Sequence, residues 1–208
     1  MLRILIADDH TVVRKGLRQI LLEEFPNAMI GEVPDAEELI KQVMAEKWDV
    51  VVSDLSMPGR SGLDALQQIK LSHPDLPVLI LSIHPEEQYA LRALKSGASG
   101  YLSKDTAPDE LVKAVQKVLL GKKYISQSIA EKLANTFSSG DKHLHENLSD
   151  REFDVMKLLA NGKSVSDIAE MLSLSVTTVS TYRARVMTKM NLKSNSDLTK
   201  YAIENKLI

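Results

Sequence analysis

The chain contains no cysteine among its 208 residues. That excludes a disulfide framework, a thiolate metal site and a thiol nucleophile, and it fits a reducing compartment. No apolar run approaches the roughly 18 residues that a membrane-spanning helix needs. The first residues enter a strand pattern without the basic stretch and apolar segment of a secretory leader, so a cytoplasmic location is expected. Internal repeats and low-complexity tracts are also missing. Neither sign of charge is in large excess: 26 Lys and Arg face 28 Asp and Glu, a net of −2. A balance that small carries no argument for nucleic acid. With 44% hydrophobic and 26% charged residues the composition is that of a folded globular protein, and the length allows one or two domains.

The charge that is present is unevenly spread. Residues 1–120 hold 13 Lys and Arg against 18 Asp and Glu, a net of −5; residues 121–208 hold 13 against 10, a net of +3. An acidic front and a basic back predict different partners for the two halves.

In the first 120 residues, short β-rich runs alternate with helical stripes. The strand candidates are Arg3–Asp8, Ala28–Val33, Asp49–Asp54, Pro77–Ser82 and Ser99–Lys104. Among the stripes, Val13, Leu17, Ile20 and Leu21 share a face, as do Ala36, Leu39, Ile40 and Val43. Leu111, Ala114, Val115, Val118 and Leu119 repeat at helical spacing most clearly. Such alternation predicts an α/β flavodoxin-like (βα)5 domain: a parallel sheet covered on both faces, with ligands outside the carboxyl ends of the strands. Asp8, Asp9, Asp54, Ser82 and Lys104 all fall at such ends. Crowded carboxylates repel one another unless a hard cation lies between them, and Mg2+ (or Mn2+) suits oxygen ligands of this kind. A lysine and a serine beside them make a pocket suited to a phosphoryl group.

After Gly121 the pattern changes. Tyr124–Phe137 reads as a helix or partly ordered connector, and Ser138–His143 as a polar linker. The last 60 residues predict an all-α four-helix domain. Ser149 with Glu152 has the spacing of a capping box, Gly162 can stop the helix that follows, and Val165, Ile168, Ala169 and Leu172 form the next apolar face. Ser173-Leu174-Ser175 is a short turn with Ser175 as N-cap. Val176, Val179, Val186 and Met190 mark one face of a third helix, and a fourth runs from about Ser194 to Asn205. The expected division is 1–120, a connector over 121–147, and 148–208.

These residues match known families. Asp8-Asp9-His10, Asp54 with Met57-Pro58-Gly59, Ser82, and Tyr101-Leu102-Ser103-Lys104 make residues 1–120 resemble the receiver domain of bacterial two-component response regulators. Leu148-Ser149-Asp150-Arg151-Glu152, Leu158-Leu159-Ala160-Asn161-Gly162, Asp167-Ile168-Ala169, Ser175-Val176-Thr177-Thr178-Val179 and Lys189-Met190-Asn191-Leu192 make the C-terminal part resemble the LuxR-type helix-turn-helix of the NarL/FixJ subfamily.

The resemblance implies that Asp54 accepts a phosphoryl group from a sensor histidine kinase. Asp8 and Asp9 would hold Mg2+ together with Asp54 and the backbone carbonyl of Ser56. Lys104 and Ser82 would meet the phosphoryl oxygens. Ser82 and Tyr101 would act as the switch, remodelling a dimerising face near residues 85–95, 99–104 and 108–119. Tyr101 as plain core is the rival reading, because strand aromatics usually pack. His10 reads as a helix-start residue and His84 as a neighbour that tunes hydrolysis.

On the third helix, the face opposite the apolar one shows Ser180, Thr181, Ala184, Arg185 and Thr188. An α-helix fits the DNA major groove. Ser180, Thr181 and Ala184 are therefore candidates for base contact, and Arg183, Arg185, Lys189 and Lys193 for phosphate contact. Many relatives have Lys where Ser180 stands and His where Tyr182 stands, so their usual operator is not expected. Leu198, Tyr201 and Ala202 suit either a dimer contact on DNA or the domain's own core.

The expected function is a phosphorylation-controlled, dimeric transcription regulator that reads inverted-repeat half-sites, with RNA polymerase as a further partner open to it. It is not an enzyme beyond its own phosphorylation and dephosphorylation. The rivals are a constitutive DNA binder with the receiver as a dimerisation module, and a phosphatase or phosphotransferase using Asp54 as nucleophile.

Overall fold

The computed structural model describes residues 1–127, 129–131 and 144–208. The predicted linker 138–143 and half of the predicted connector over 124–137 lie outside these residues. The chain divides into two compact units, Met1–Ser138 and Ser139–Ile208.

In the first unit, five strands form one parallel sheet in the order β2-β1-β3-β4-β5, the doubly wound order expected from the sequence. They are β1 Arg3–Ala7, β2 Met29–Val33, β3 Val50–Asp54, β4 Val78–Ser82 and β5 Gly100–Ser103. Between and after them come α1 Thr11–Glu24, α2 Ala36–Ala45, α3 Gly62–Ser72, α4 Glu86–Lys95 and α5 Ala107–Leu119.

The central strands are buried on both faces, which is why they read as continuous apolar runs rather than as alternation. The pleat still sorts their side chains. Ile4, Ile6, Val50, Val52, Leu79, Leu81 and Leu102 pack with Leu17 and Leu21 of α1 and with Leu111, Ala114, Val115 and Val118 of α5 in one core. Each Val, Leu or Ile side chain so buried stabilises the fold by about 2 kcal/mol. The stripes seen in the sequence on α1, α2 and α5 face inward as their spacing requires.

Two close approaches fix glycines. A Cβ at Gly62 would stand 1.9 Å from the Asp54 carbonyl oxygen, so α3 can start directly beneath the end of β3 only with glycine there. Gly31 on β2 lies against the Trp48 ring, where a Cβ would stand 2.5 Å from the indole. Trp48 donates from Nε1 to the Gln42 carbonyl at 3.2 Å, and the Arg3 guanidinium lies 5.0 Å from its ring centre. Past α5, Tyr124 forms a parallel bridge with Gly100 at the edge of β5.

In the second unit, a 3-10 turn at Leu144–Asn147 precedes α6 Asp150–Ala160, α7 Val165–Met171, α8 Val176–Met190 and α9 Asn195–Glu204. Ser149 and Ser164 each close a full capping box, with Glu152 and Asp167. Gly162 takes φ 79°, the left-handed conformation that stops α6. Ser173 (φ 54°) makes the tight turn into α8, which Ser175 caps by accepting from the Thr178 amide at 3.0 Å. Phe153, Val155, Met156, Ile168, Val179, Val186, Met190, Leu198 and Ala202 form the core.

One expectation is corrected here, and one choice left open by the sequence is narrowed. Val176 is 51% exposed and does not join the inner face of α8. At 100° per residue it lies about 60° from the mean direction of Val179, Val186 and Met190. Leu198 and Ala202 are fully buried within their own unit, and Tyr201 is half-buried with its hydroxyl 2.9 Å from His145 Nδ1. Leu198 and Ala202 therefore take the core alternative, and Tyr201 packs in part within its own unit.

Candidate functional site

Asp8, Asp9, Asp54, Ser82 and Lys104 meet at the carboxyl edge of the sheet because five parallel strands end there. Asp54 closes β3, and its side chain is 3% exposed. Its Oδ2 lies 2.8 Å from Lys104 Nζ, and its Oδ1 accepts from the Ser56 amide at 3.2 Å. The same ammonium stands 2.7 Å from Asp8 Oδ2. One lysine thus bridges two buried carboxylates.

The carboxylate side of the pocket stays under-compensated. Asp8 Oδ2 and Asp9 Oδ1 are shut from solvent and accept no well-formed hydrogen bond, although Lys104 Nζ and His10 Nδ1 stand 2.7 Å from them. Burial raises the Asp54 carboxyl above its ordinary value, and Lys104 offsets this only in part. Burial acts to lower Lys104, but the Asp54 and Asp8 carboxylates beside it outweigh this and leave the ammonium raised.

Ligand atoms of Asp8, Asp9, His10 and Asp54 all lie within 4.8 Å of one another. Oxygen-rich donors with orphaned carboxylate atoms fit a hard divalent cation. His10 is the N-cap of α1, as its helix-start reading has it, and its ring also touches Asp9.

Ser82 is fully buried and accepts from the His84 amide at 2.9 Å. Tyr101 is 2% exposed, so it belongs to the core, yet its hydroxyl also donates to the His84 carbonyl at 2.9 Å. The His84 ring stacks on Tyr89 and places Nε2 2.9 Å from the Ser56 hydroxyl. This join between the loops after β3 and β4 was not visible in the sequence, since nothing pairs two loop residues 28 positions apart. Arg14 was missed as well: its guanidinium donates to the Asp8 carbonyl at 2.5 Å from a helix face that reads as solvated.

In the second unit, Ser180, Thr181, Ala184 and Arg185 on α8 are exposed, as is Lys193 beyond it. The Thr181 hydroxyl donates back to the Thr177 carbonyl at 3.0 Å, so it offers outward only its lone pairs and methyl. Two other predicted phosphate contacts have partners inside the unit. Arg183 donates through Nε and Nη2 to Asn195 Oδ1 at 3.2 and 3.0 Å. Lys189 Nζ lies 2.6 Å from Glu152, whose side chain is 2% exposed. That pair holds the Glu152 carboxyl below its ordinary value despite burial.

Residues 4–116 match the family described as the response regulator receiver domain, and residues 146–202 the bacterial regulatory proteins of the luxR family. The response regulator UvrY of Escherichia coli strain K12 is 36% identical over the whole of this chain and 96% of its own length. The oxygen regulatory protein NreC of Staphylococcus epidermidis is 38% identical, across all of this chain and 99% of its own. This chain belongs to the luxR-family response regulators. Among solved structures, RcsB of Salmonella enterica serovar Typhimurium bound to promoter P1flhDC with the phosphomimetic BeF3− matches with a TM-score of 0.60 and 31% identity. That match covers 96% of this chain and 97% of RcsB. As in this family, the regulator pairs a receiver-type sheet with a helical C-terminal unit. No helix among its described residues is long and apolar enough to cross a membrane.

Proposed function

We propose that a sensor histidine kinase phosphorylates Asp54 of this response regulator, and that the phosphoryl group controls its dimerisation and its binding to double-stranded DNA. The observation that carries this reading is the Asp54 carboxylate, buried at a strand end with Lys104 Nζ 2.8 Å away and Asp8 and Asp9 beside it. One Asp54 oxygen attacks the phosphorus as the bond to the donor nitrogen breaks, and the leaving imidazole takes a proton. Lys104 neutralises charge on the phosphoryl oxygens, and the Ser82 hydroxyl, which accepts from the His84 amide and also meets the Tyr101 hydroxyl, would turn to donate to one. Mg2+, or Mn2+, would be held by Asp8, Asp9, Asp54 and the Ser56 carbonyl, and would neutralise further phosphoryl charge when bound. Ser82 and Tyr101 form the switch, since both hydrogen-bond the His84 backbone.

The chain is divided functionally into a receiver over 1–120, a connector over 121–147 and a DNA-binding domain over 148–208. Ser180, Thr181 and Ala184 of α8 read base edges. Arg183, Arg185, Lys189 and Lys193 face phosphates, with the larger share on Arg185 and Lys193 because the other two already have partners. RcsB is recorded as dimers bound to DNA. A two-fold dimer here would require pseudo-palindromic half-sites. The protein acts in the cytoplasm as a transcription regulator whose only chemistry is its own phosphorylation and dephosphorylation.

Selection of fragments from a genomic DNA pool tests this, with Mg2+ and a small phosphodonor, for wild type beside Asp54→Asn. An inverted repeat enriched only by phosphorylated wild type is expected. Equal enrichment by both would leave a DNA binder that Asp54 does not gate. No enrichment by either would remove α8 as the reading element.

A further inference from the structure

We infer that Arg14 is a positioning residue for the cation site, and that it sets the site's metal affinity against the sign of its own charge. The inference rests on reading the carboxylate cluster as a cation site.

Arg14 lies one turn into α1, and its side chain is only 13% exposed. Its Nη1 donates to the Asp8 carbonyl oxygen at 2.5 Å and its Nη2 to Thr11 Oγ1 at 3.2 Å. The third side of the guanidinium faces β2, where Nε lies 3.8 Å from Glu32 Oε2. Glu32 in turn lies 3.5 Å from Arg18. Glu32 pairs in register with Ile6, so it belongs to the strand beside the one that ends at Asp8. The guanidinium therefore ties the loop after β1 to both its own helix and the neighbouring strand.

The bonded carbonyl belongs to the planar peptide that joins Asp8 to Asp9, so fixing it fixes the exit directions of both carboxylates. The remaining polar groups of this loop are fixed in matching fashion. The Asp8 amide donates to the Val33 carbonyl at 3.3 Å, and Asp8 Oδ1 accepts from the His10 amide at 2.8 Å. Without Arg14 the Asp8 carbonyl loses its recorded side-chain donor, and the peptide plane is free to turn.

Two effects of removing Arg14 have opposite signs. As a nearby positive charge, it opposes a bound cation, so its loss alone tightens binding. As the anchor of the ligand-bearing peptide, its loss weakens binding, and supports of this kind carry 10- to 100-fold in metal affinity. The geometry favours the second effect, because the guanidinium bonds the backbone between the two ligands rather than a carboxylate.

The test is the Mn2+ dissociation constant of the full chain, read from the electron paramagnetic resonance of free Mn2+, with a thermal melt beside it. Wild type is compared with Arg14→Met, Arg14→Lys and Asp8→Asn. Arg14→Met is expected to bind roughly 10- to 100-fold more weakly. Arg14→Lys keeps the charge and one donor but not the fork, and is expected to lie between Met and wild type. Should Arg14→Met fail to fold, an affinity for Arg14→Lys severalfold below wild type sustains the inference, and one equal to wild type overturns it. Unchanged or tighter binding by folded Arg14→Met overturns it too, leaving a structural or a purely electrostatic residue. If wild type shows no saturable binding, or Asp8→Asn binds as tightly, the cation reading itself falls and takes this one with it.

Discussion

Each half of this regulator buries a carboxylate against a lysine, and the two pairs behave in opposite ways. In the C-terminal unit Glu152 meets one ammonium and also accepts from the Ser149 amide at 2.8 Å, inside a complete capping box. Its charge is fully answered, and its carboxyl is held below the ordinary value. In the receiver one ammonium is shared by Asp54 and Asp8, with Asp9 close by, and the Asp54 carboxyl is pushed up by burial. A carboxylate that the fold completes is structural. One that the fold leaves short of positive charge is waiting for something else to supply it.

The contrast can be broken most severely at Asp54. Asp54→Asn is expected to reduce acid-labile acyl phosphate to background under a small phosphodonor while the protein stays folded; persistent labelling would move the phosphoacceptor elsewhere. Next comes Glu152→Ala, which strips the partner from Lys189 and opens the capping box. It should destabilise the C-terminal unit by about 1 to 2 kcal/mol, seen as a lower urea midpoint, whereas Asp54→Asn should leave the receiver as stable or more so. A third lever is Lys104→Met. It leaves Asp8 and Asp54 facing each other, so the receiver should melt lower by a few degrees in chelator and recover more on adding Mg2+ than wild type does.

Mild acid separates the pairs by sign. The Asp54 carboxyl is raised, so its ionised form costs stability at neutral pH, and that cost is relieved as pH falls through the folded value toward 3.8. The Glu152 carboxyl is lowered, so its stabilisation is complete above about 4.5 and is lost only as pH falls below that. Thermal melts followed by circular dichroism from pH 7 downward should show the receiver gaining first, and Asp54→Asn should flatten that gain. The smallest effect is expected at Val176, where Thr should change stability by less than about 0.5 kcal/mol because the side chain is largely exposed.

The parallel sheet explains why so much of the acidic pocket was readable. Every βα unit ends at the same edge, so an apolar run followed by Asp, Ser or Lys already locates its side chain, and four such runs locate a site. Periodicity likewise gave the inner faces of α1, α2 and α5. What it could not give was the partner of a polar side chain across the fold. Arg14 and Lys189 both look like solvated cations on helices, yet one holds the Asp8 carbonyl and the other a glutamate 37 residues away. The His84–Ser56 contact joins two loops with no period at all. Val176 failed for a subtler reason: an apolar residue at the right spacing can still sit at the margin of its stripe.

The packing of Trp48 against Gly31 and Arg3 has a practical side. It is the sole tryptophan of the chain, and it lies wholly within the first unit. Indole emission therefore watches the receiver alone and is blind to the melting of the C-terminal helices, whose Tyr182 and Tyr201 answer only to shorter-wavelength excitation. The protein comes with an intrinsic optical label on one of its two halves, and the melting of that half can be read without a dye.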